Sequence, residues 1–117
     1  MGDLYQQVMD SIHRGEPFLI DGATGTEVER RGVPKLDNVW NGGGILSHPE
    51  IVQEIHEDYI RCGARMVISN TFATHRSALE GGGVADQFDA FNRQAVALAR
   101  AARDRLNAHH VLVAGGM

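Results

Sequence analysis

One cysteine, Cys62, among 117 residues excludes an internal disulfide and any metal site built from several thiolates of this chain; it suits a reducing cytoplasm. Long apolar runs are missing too. No stretch approaches the roughly 18 residues that cross a bilayer, so no membrane span is expected. The opening residues, Met-Gly-Asp-Leu-Tyr-Gln-Gln, lack both a basic start and an apolar signal core, and Gln6 stands where a myristoylation signal needs Ser or Thr. Lys and Arg do not cluster, and the formal net charge is -4, which argues against a nucleic-acid surface. The expectation is a cytoplasmic globular chain of at most one domain, with neither membrane nor nucleic acid as partner.

Glycine, by contrast, is plentiful and unevenly placed. Gly42-Gly43-Gly44 and Gly81-Gly82-Gly83 are loop triplets, since ordering three glycines inside a helix or strand is costly, and Gly115-Gly116 lies next to the C-terminus. Between them the apolar residues recur at regular spacings. Leu4, Val8 and Ile12 predict a helix over Asp3–Arg14, with Asp3 as N-cap and Gly15 as stop. Phe18–Ile20 predicts a first strand ending at Asp21-Gly22, and a short helix over Thr26–Arg31 stops at Gly32. After an irregular stretch to Ser47, the run Ser47-His48-Pro49-Glu50 reads as a capping Ser with Glu three residues on and Pro in the first turn. Ile51, Ile55, Tyr59 and Cys62 form that helix's buried stripe. Met66–Ile68 is the second strand, and one helical turn is placed near Arg76–Leu79. Phe88, Phe91, Ala95, Leu98, Ala102 and Leu106 mark a long final helix, and Val111–Val113 the third strand.

Strands that stay apolar without alternating are buried on both faces, as in a parallel sheet with helical crossovers. Polar residues collect just beyond each strand, which is the ligand-facing end in parallel β/α proteins. Asp21-Gly22-Ala23-Thr24-Gly25-Thr26 is the most informative motif. Its carboxylate can take a cation and its free main-chain N–H groups an anion, although a helix cap with a tight turn uses the same residues. Asn70-Thr71-Phe72 offers two hydrogen-bonding side chains and an aromatic; Phe72 equally suits a core position. Trp40 suits an aromatic wall for a methyl-bearing ligand, or a loop anchor. The six histidines include no i, i+4 ligand pair, and most of them read as surface or capping residues. Cys62, on the apolar stripe, reads as a buried structural thiol, and Glu57 with Arg61 as a solvated i, i+4 pair. No residue is assigned as catalytic and none as a metal ligand.

Four blocks in order resemble the N-terminal part of the homocysteine S-methyltransferase family, which includes betaine–homocysteine methyltransferase and the homocysteine domain of cobalamin-dependent methionine synthase. They are Leu19-Ile20-Asp21-Gly22-Ala23-Thr24-Gly25-Thr26, His48-Pro49-Glu50-Ile51-Val52, Tyr59-Ile60-Arg61-Cys62-Gly63-Ala64 leading to Ser69-Asn70-Thr71-Phe72, and Val113-Ala114-Gly115-Gly116. The resemblance implies a parallel β/α (TIM-type) barrel, of which residues 1–117 are the incomplete N-terminal segment with the first three strands and their helices. It implies zinc held by three cysteine thiolates, binding the homocysteine sulfur so that a methyl donor (betaine, S-methylmethionine or a methylfolate/cobalamin system) is attacked by thiolate and methionine results. It also implies that Asp21 and Gly22 hold the amino-acid end of homocysteine, that Asn70, Thr71 and Phe72 line the pocket, and that Trp40 faces the donor.

The family's zinc cysteines belong to later strands, including a Gly-Gly-x-Cys-Cys motif absent here, and Cys62 is no replacement. The isolated 117-residue chain is therefore expected to be inactive. With three strands of a barrel that needs eight, it is expected to self-associate or to need a completing chain. Two other classes remain: a non-catalytic α/β small-molecule-binding or interaction module, and a sugar-kinase-like phosphate loop. The second requires an alternating hairpin strand after Thr26.

Overall fold

The computed structural model of the chain describes residues 2–35, 39, 42 and 44–116. Helix α1 spans Gly2–His13 and α2 spans Gly25–Arg30, both ending before glycines with left-handed main chain, Gly15 (φ 77°) and Gly32 (φ 87°). A single turn, α3 (Gly44–Ser47), leads into α4 (Pro49–Arg61). The first strand, β1, is Met66–Ile68; α5 covers Arg76–Gly81; a 3-10 turn at Ala85–Gln87 runs into α6 (Phe88–Arg105), and β2 is Leu112–Ala114. No helix among the described residues is long and apolar enough to cross a membrane.

β1 and β2 pair in parallel, Met66 with Leu112, Val67 with Val113 and Ile68 with Ala114. Helix α6 is the crossover between them. Its Ala99 meets Val67, Ala108 and Val111 in one cluster, against which Tyr59 and Ile60 of α4 also pack. Both long helices therefore cover the same side of the sheet, as expected of right-handed β–α–β connections. The second and larger cluster joins Val28, Ile45, Val52, Ile55, Leu79, Phe91, Ala95 and Leu98, so every helix from α2 to α6 contributes to it.

The expected first strand is reduced to one parallel bridge, Ile20 to Met66. The carbonyl of Leu19 accepts from the N–H of Arg65 at 2.8 Å, and the N–H of Asp21 donates to the carbonyl of Met66 at 3.0 Å. The next donor on that edge, the N–H of Ile68, is met at 2.9 Å by Asp21 Oδ2 instead of a main-chain carbonyl. A side chain thus closes the ladder and the main chain turns away at Gly22. The α/β class with parallel strands holds, with two paired strands and one bridged segment in place of three full strands. Leu19 and Ile20 are 55% and 46% exposed, so this edge of the sheet is uncovered.

Five local expectations change. Asp3 is not the N-cap of α1, which begins at Gly2 and carries Asp3 in its first turn. Ser47 does not cap α4: it closes α3, and the N-cap is His48, whose side chain makes no capping bond. Cys62 is exposed, because α4 ends at Arg61 and the thiol falls just beyond the buried stripe, where the chain turns at Gly63. Glu57 is no solvated residue. It is 2% exposed and receives Arg61, Arg105 of α6 and the Gln53 amide. His56 departs from the surface or capping role expected of most histidines: it is fully buried with neither ring nitrogen hydrogen-bonded. Elsewhere His75 does act as a cap, its Nδ1 accepting from the N–H of Ala78 at 3.2 Å. The phosphate-loop alternative loses its required hairpin strand, since residues 25–30 are the helix α2.

Candidate functional site at the strand ends

The polar residues that follow each strand segment meet at one end of the sheet. Asp21, Gly22, Asn70 and Phe72, with Gly115 and Gly116 beyond β2, line an open cleft of about 410 Å³. A second hollow of about 210 Å³ adjoins it, lined by Thr24, Thr26, Gly42, Asn70, Phe72 and Ala73. This convergence follows from the topology, since neighbouring parallel segments finish on the same side.

Asp21 is 8% exposed. Burial pushes its carboxyl above the ordinary carboxylate range, while the main-chain N–H groups of Ile68 and of Asp21 itself pull the other way. None of the ion pairs among the described residues involves it. One oxygen is spent on the strand end and the net charge has no cation beside it. A carboxylate in that position favours a positively charged ligand group.

Asn70 contributes the second feature. Its Nδ2 is buried without a hydrogen-bond partner, and a buried donor left unpaired costs about 1–3 kcal/mol. Thr71 is engaged already: its Oγ1 donates to the carbonyl of Gly116 at 3.0 Å, accepts from the Gly116 N–H at 3.1 Å and lies 3.1 Å from Ser69 Oγ. It clamps the end of β2 to the end of β1 and does not border the cleft. Gly116 is required by this clamp, because a Cβ there would stand 3.0 Å from the Ser69 carbonyl oxygen. Phe72, 68% exposed, lies at the cleft instead of in the core. Trp40 lies outside the described residues.

The loop carrying Phe72 is held from behind. Thr74, fully buried, donates its hydroxyl to Asn92 Oδ1 at 2.7 Å, and Asn92 Nδ2 returns bonds to the carbonyls of Thr74 and Phe88. The turn after Asp21 is held by Tyr59, whose hydroxyl donates to the Ala23 carbonyl at 2.7 Å. Pattern reading recognised Tyr59 only as part of an apolar stripe. The available signal was a hydroxyl-bearing ring at the sheet-proximal end of that stripe. A roomier hollow, about 750 Å³, runs along the outer side of α6 between Asp89 and Asp104. It is a shallow surface of alternating charges and small residues with no unpaired buried polar atom.

Residues 18–117 match the homocysteine S-methyltransferase family. The chain is 33% identical over 112 residues to homocysteine S-methyltransferase of Escherichia coli, an alignment covering 91% of this chain and 36% of that protein. Against selenocysteine methyltransferase of Astragalus bisulcatus it is 31% identical over 99 residues, 83% of this chain and 29% of the relative. The crystal structure of the Escherichia coli homocysteine methyltransferase MmuM in its metallated form superposes with a TM-score of 0.74 at 34% identity, covering 84% of this chain and 36% of that one. The chain thus spans about a third of the length of these relatives. With nearly all of its residues matched and the fold shared, the chain belongs to the homocysteine S-methyltransferase family.

Proposed function

We propose that this chain forms the amino-acid-binding wall of a homocysteine methyl-transfer site, within the opening of a parallel β/α barrel. Asp21 receives the α-ammonium group of homocysteine, and Gly22 lets the ligand approach the main chain. The Asn70 amide donates to the α-carboxylate, and Phe72 packs against the aliphatic part. Thr71 acts through the Gly116 clamp, shaping the floor between the strands. Trp40 is assigned to the methyl-donor side on the family resemblance. The observation that carries this reading is the pairing of a buried, cation-free carboxylate at Asp21 with an unpaired buried amide donor at Asn70 on one cleft. A zwitterionic amino acid satisfies both at once.

The family resemblance implies zinc, and the residues of this chain do not fit it. Cys62 is the single cysteine, exposed at the end of α4, and no three His, Cys, Asp or Glu side chains stand together among the described residues. A thiol-activating zinc of this type needs three protein ligands besides the substrate sulfur. The chain on its own therefore binds and orients the amino acid without transferring a methyl group. The barrel reading rests on parallel segments in chain order with their helices on one side.

Isothermal titration of homocysteine into the 117-residue chain tests this. Asp21→Asn keeps the shape and removes the charge, so binding should weaken at least about tenfold, about 1.4 kcal/mol. 4-Mercaptobutyrate, which lacks the amino group, should bind the two proteins equally. Homocysteine affinity unchanged by Asp21→Asn would overturn the reading.

A further inference from the structure

The turn that presents Asp21 and Gly22 is not free-standing. Tyr59 projects from the last turn of α4, and its ring packs against both core clusters, between the helical layer and the back of the sheet. The hydroxyl emerges at the far end and donates to the Ala23 carbonyl at 2.7 Å. Residue 22 lies directly over the same ring. A Cβ built there would sit 3.1 Å from the Tyr59 hydroxyl oxygen and 3.4 and 3.5 Å from Cε1 and Cζ. Gly22 and Tyr59 are therefore matched: the absent side chain of one leaves room for the hydroxyl of the other.

Within the site reading given above, we propose that Tyr59 is a positioning residue: its hydroxyl holds the Asp21–Ala23 turn against α4 and so sets affinity for the amino-acid end of the ligand. The ring cannot shift without disturbing packing from two sides, so the carbonyl it holds is fixed relative to the core. Asp21 is anchored at its other end by the bond from Ile68 N–H. Two fixed points, at Asp21 and Ala23, determine where the carboxylate and the Gly22 main chain face the cleft. Misplacement by a fraction of an ångström at such a point weakens binding while the fold survives.

The test uses Tyr59→Phe, Gly22→Ala and the double variant of the 117-residue chain. Each is titrated with homocysteine, unfolded in urea and mapped by amide NMR. Tyr59→Phe keeps the ring, so core amides such as Val67 and Ala99 should not shift, whereas Gly22, Ala23 and Thr24 should. Homocysteine affinity should fall about tenfold with the urea midpoint nearly unchanged. Gly22→Ala should weaken binding more than tenfold in the wild-type background and only a few-fold in the Tyr59→Phe background, where the 3.1 Å contact is gone. Wild-type affinity in Tyr59→Phe, additive effects in the double variant, or a parallel loss of stability and affinity would each overturn the proposal. A wild-type chain that does not bind homocysteine would defeat the site reading separately. The clamp is then judged by whether the amide shifts stay confined to the turn and the unfolding energies are non-additive, and it fails if neither holds.

Discussion

Replacing His56 should remove its own share of this chain's loss of stability in mild acid. The imidazole is fully enclosed on α4, and neither ring nitrogen has a hydrogen-bond partner. Burial alone lowers its pKa from 6.5 to about 4, because the imidazolium would lose its hydration with nothing in exchange. As pH falls through 6.5 the unfolded chain takes up a proton at His56, while the folded chain refuses it until about pH 4. Stability is therefore fully present above pH 6.5, declines between 6.5 and 4, and levels off below. A gap of about 2.5 units at about 1.36 kcal/mol each is worth about 3 kcal/mol. That is a large part of a typical total of about 5–15 kcal/mol. His56→Leu has similar volume and no titration. It should also gain about 1 kcal/mol at neutral pH, by removing unpaired buried nitrogens. Urea unfolding of both proteins at several pH values gives the difference in stability, in which titrations common to both cancel. That difference should widen by about 3 kcal/mol from about pH 7 to about pH 4. Profiles that stay parallel would refute the reasoning and mean that the imidazole has found a proton acceptor or water.

Glu57→Gln removes the charge shared by Arg61 and Arg105. Both arginines are at least half exposed and rehydrate on losing it, so the cost in urea unfolding should be about 1–2 kcal/mol, below the roughly 3–5 expected when a charge is stranded in a core. Cys62 should react with a thiol reagent in native buffer without prior unfolding, because it is exposed; protection comparable to a core cysteine would contradict the placement of the α4 terminus. Leu19, Ile20 and Phe72 leave apolar surface uncovered beside an open sheet edge, so sedimentation velocity should show concentration-dependent association of the chain. Charged replacements at Leu19 and Ile20 should suppress it, and a concentration-independent monomer would count against the argument.

What could be read from the chain and what could not divide along a physical line. Periodicity places α4 and α6 almost to the residue, because an amphipathic helix carries its own signature in its spacing. The apolar runs 66–68 and 111–113 locate both strands, the second displaced by one residue. The meeting of Asp21 and Asn70 on one cleft is legible by the same logic, since a strand end is a local feature and parallel topology then brings such ends together. The failures concern groups whose surroundings come from distant sequence. Glu57 looks solvated beside Arg61 until Arg105, 48 residues on, is laid across it by α6.

Cys62 and His56 invert one another for a related reason. A stripe drawn at 3.6-residue spacing runs on through Cys62, but the helix stops one residue earlier and the thiol turns outward. The same stripe passes beside His56, which α4 nevertheless buries because its neighbours pack around more of the helix than one face. Tyr59 belongs to both groups. Its ring obeys the stripe and was legible; its hydroxyl bonds to Ala23, 36 residues back, and was not. The link between the core and the turn at the candidate site therefore passes through an atom that hydropathy assigns to neither. Residues with an apolar body and one polar end, placed where a stripe meets a strand end, are where such links should be sought in sequences of this architecture.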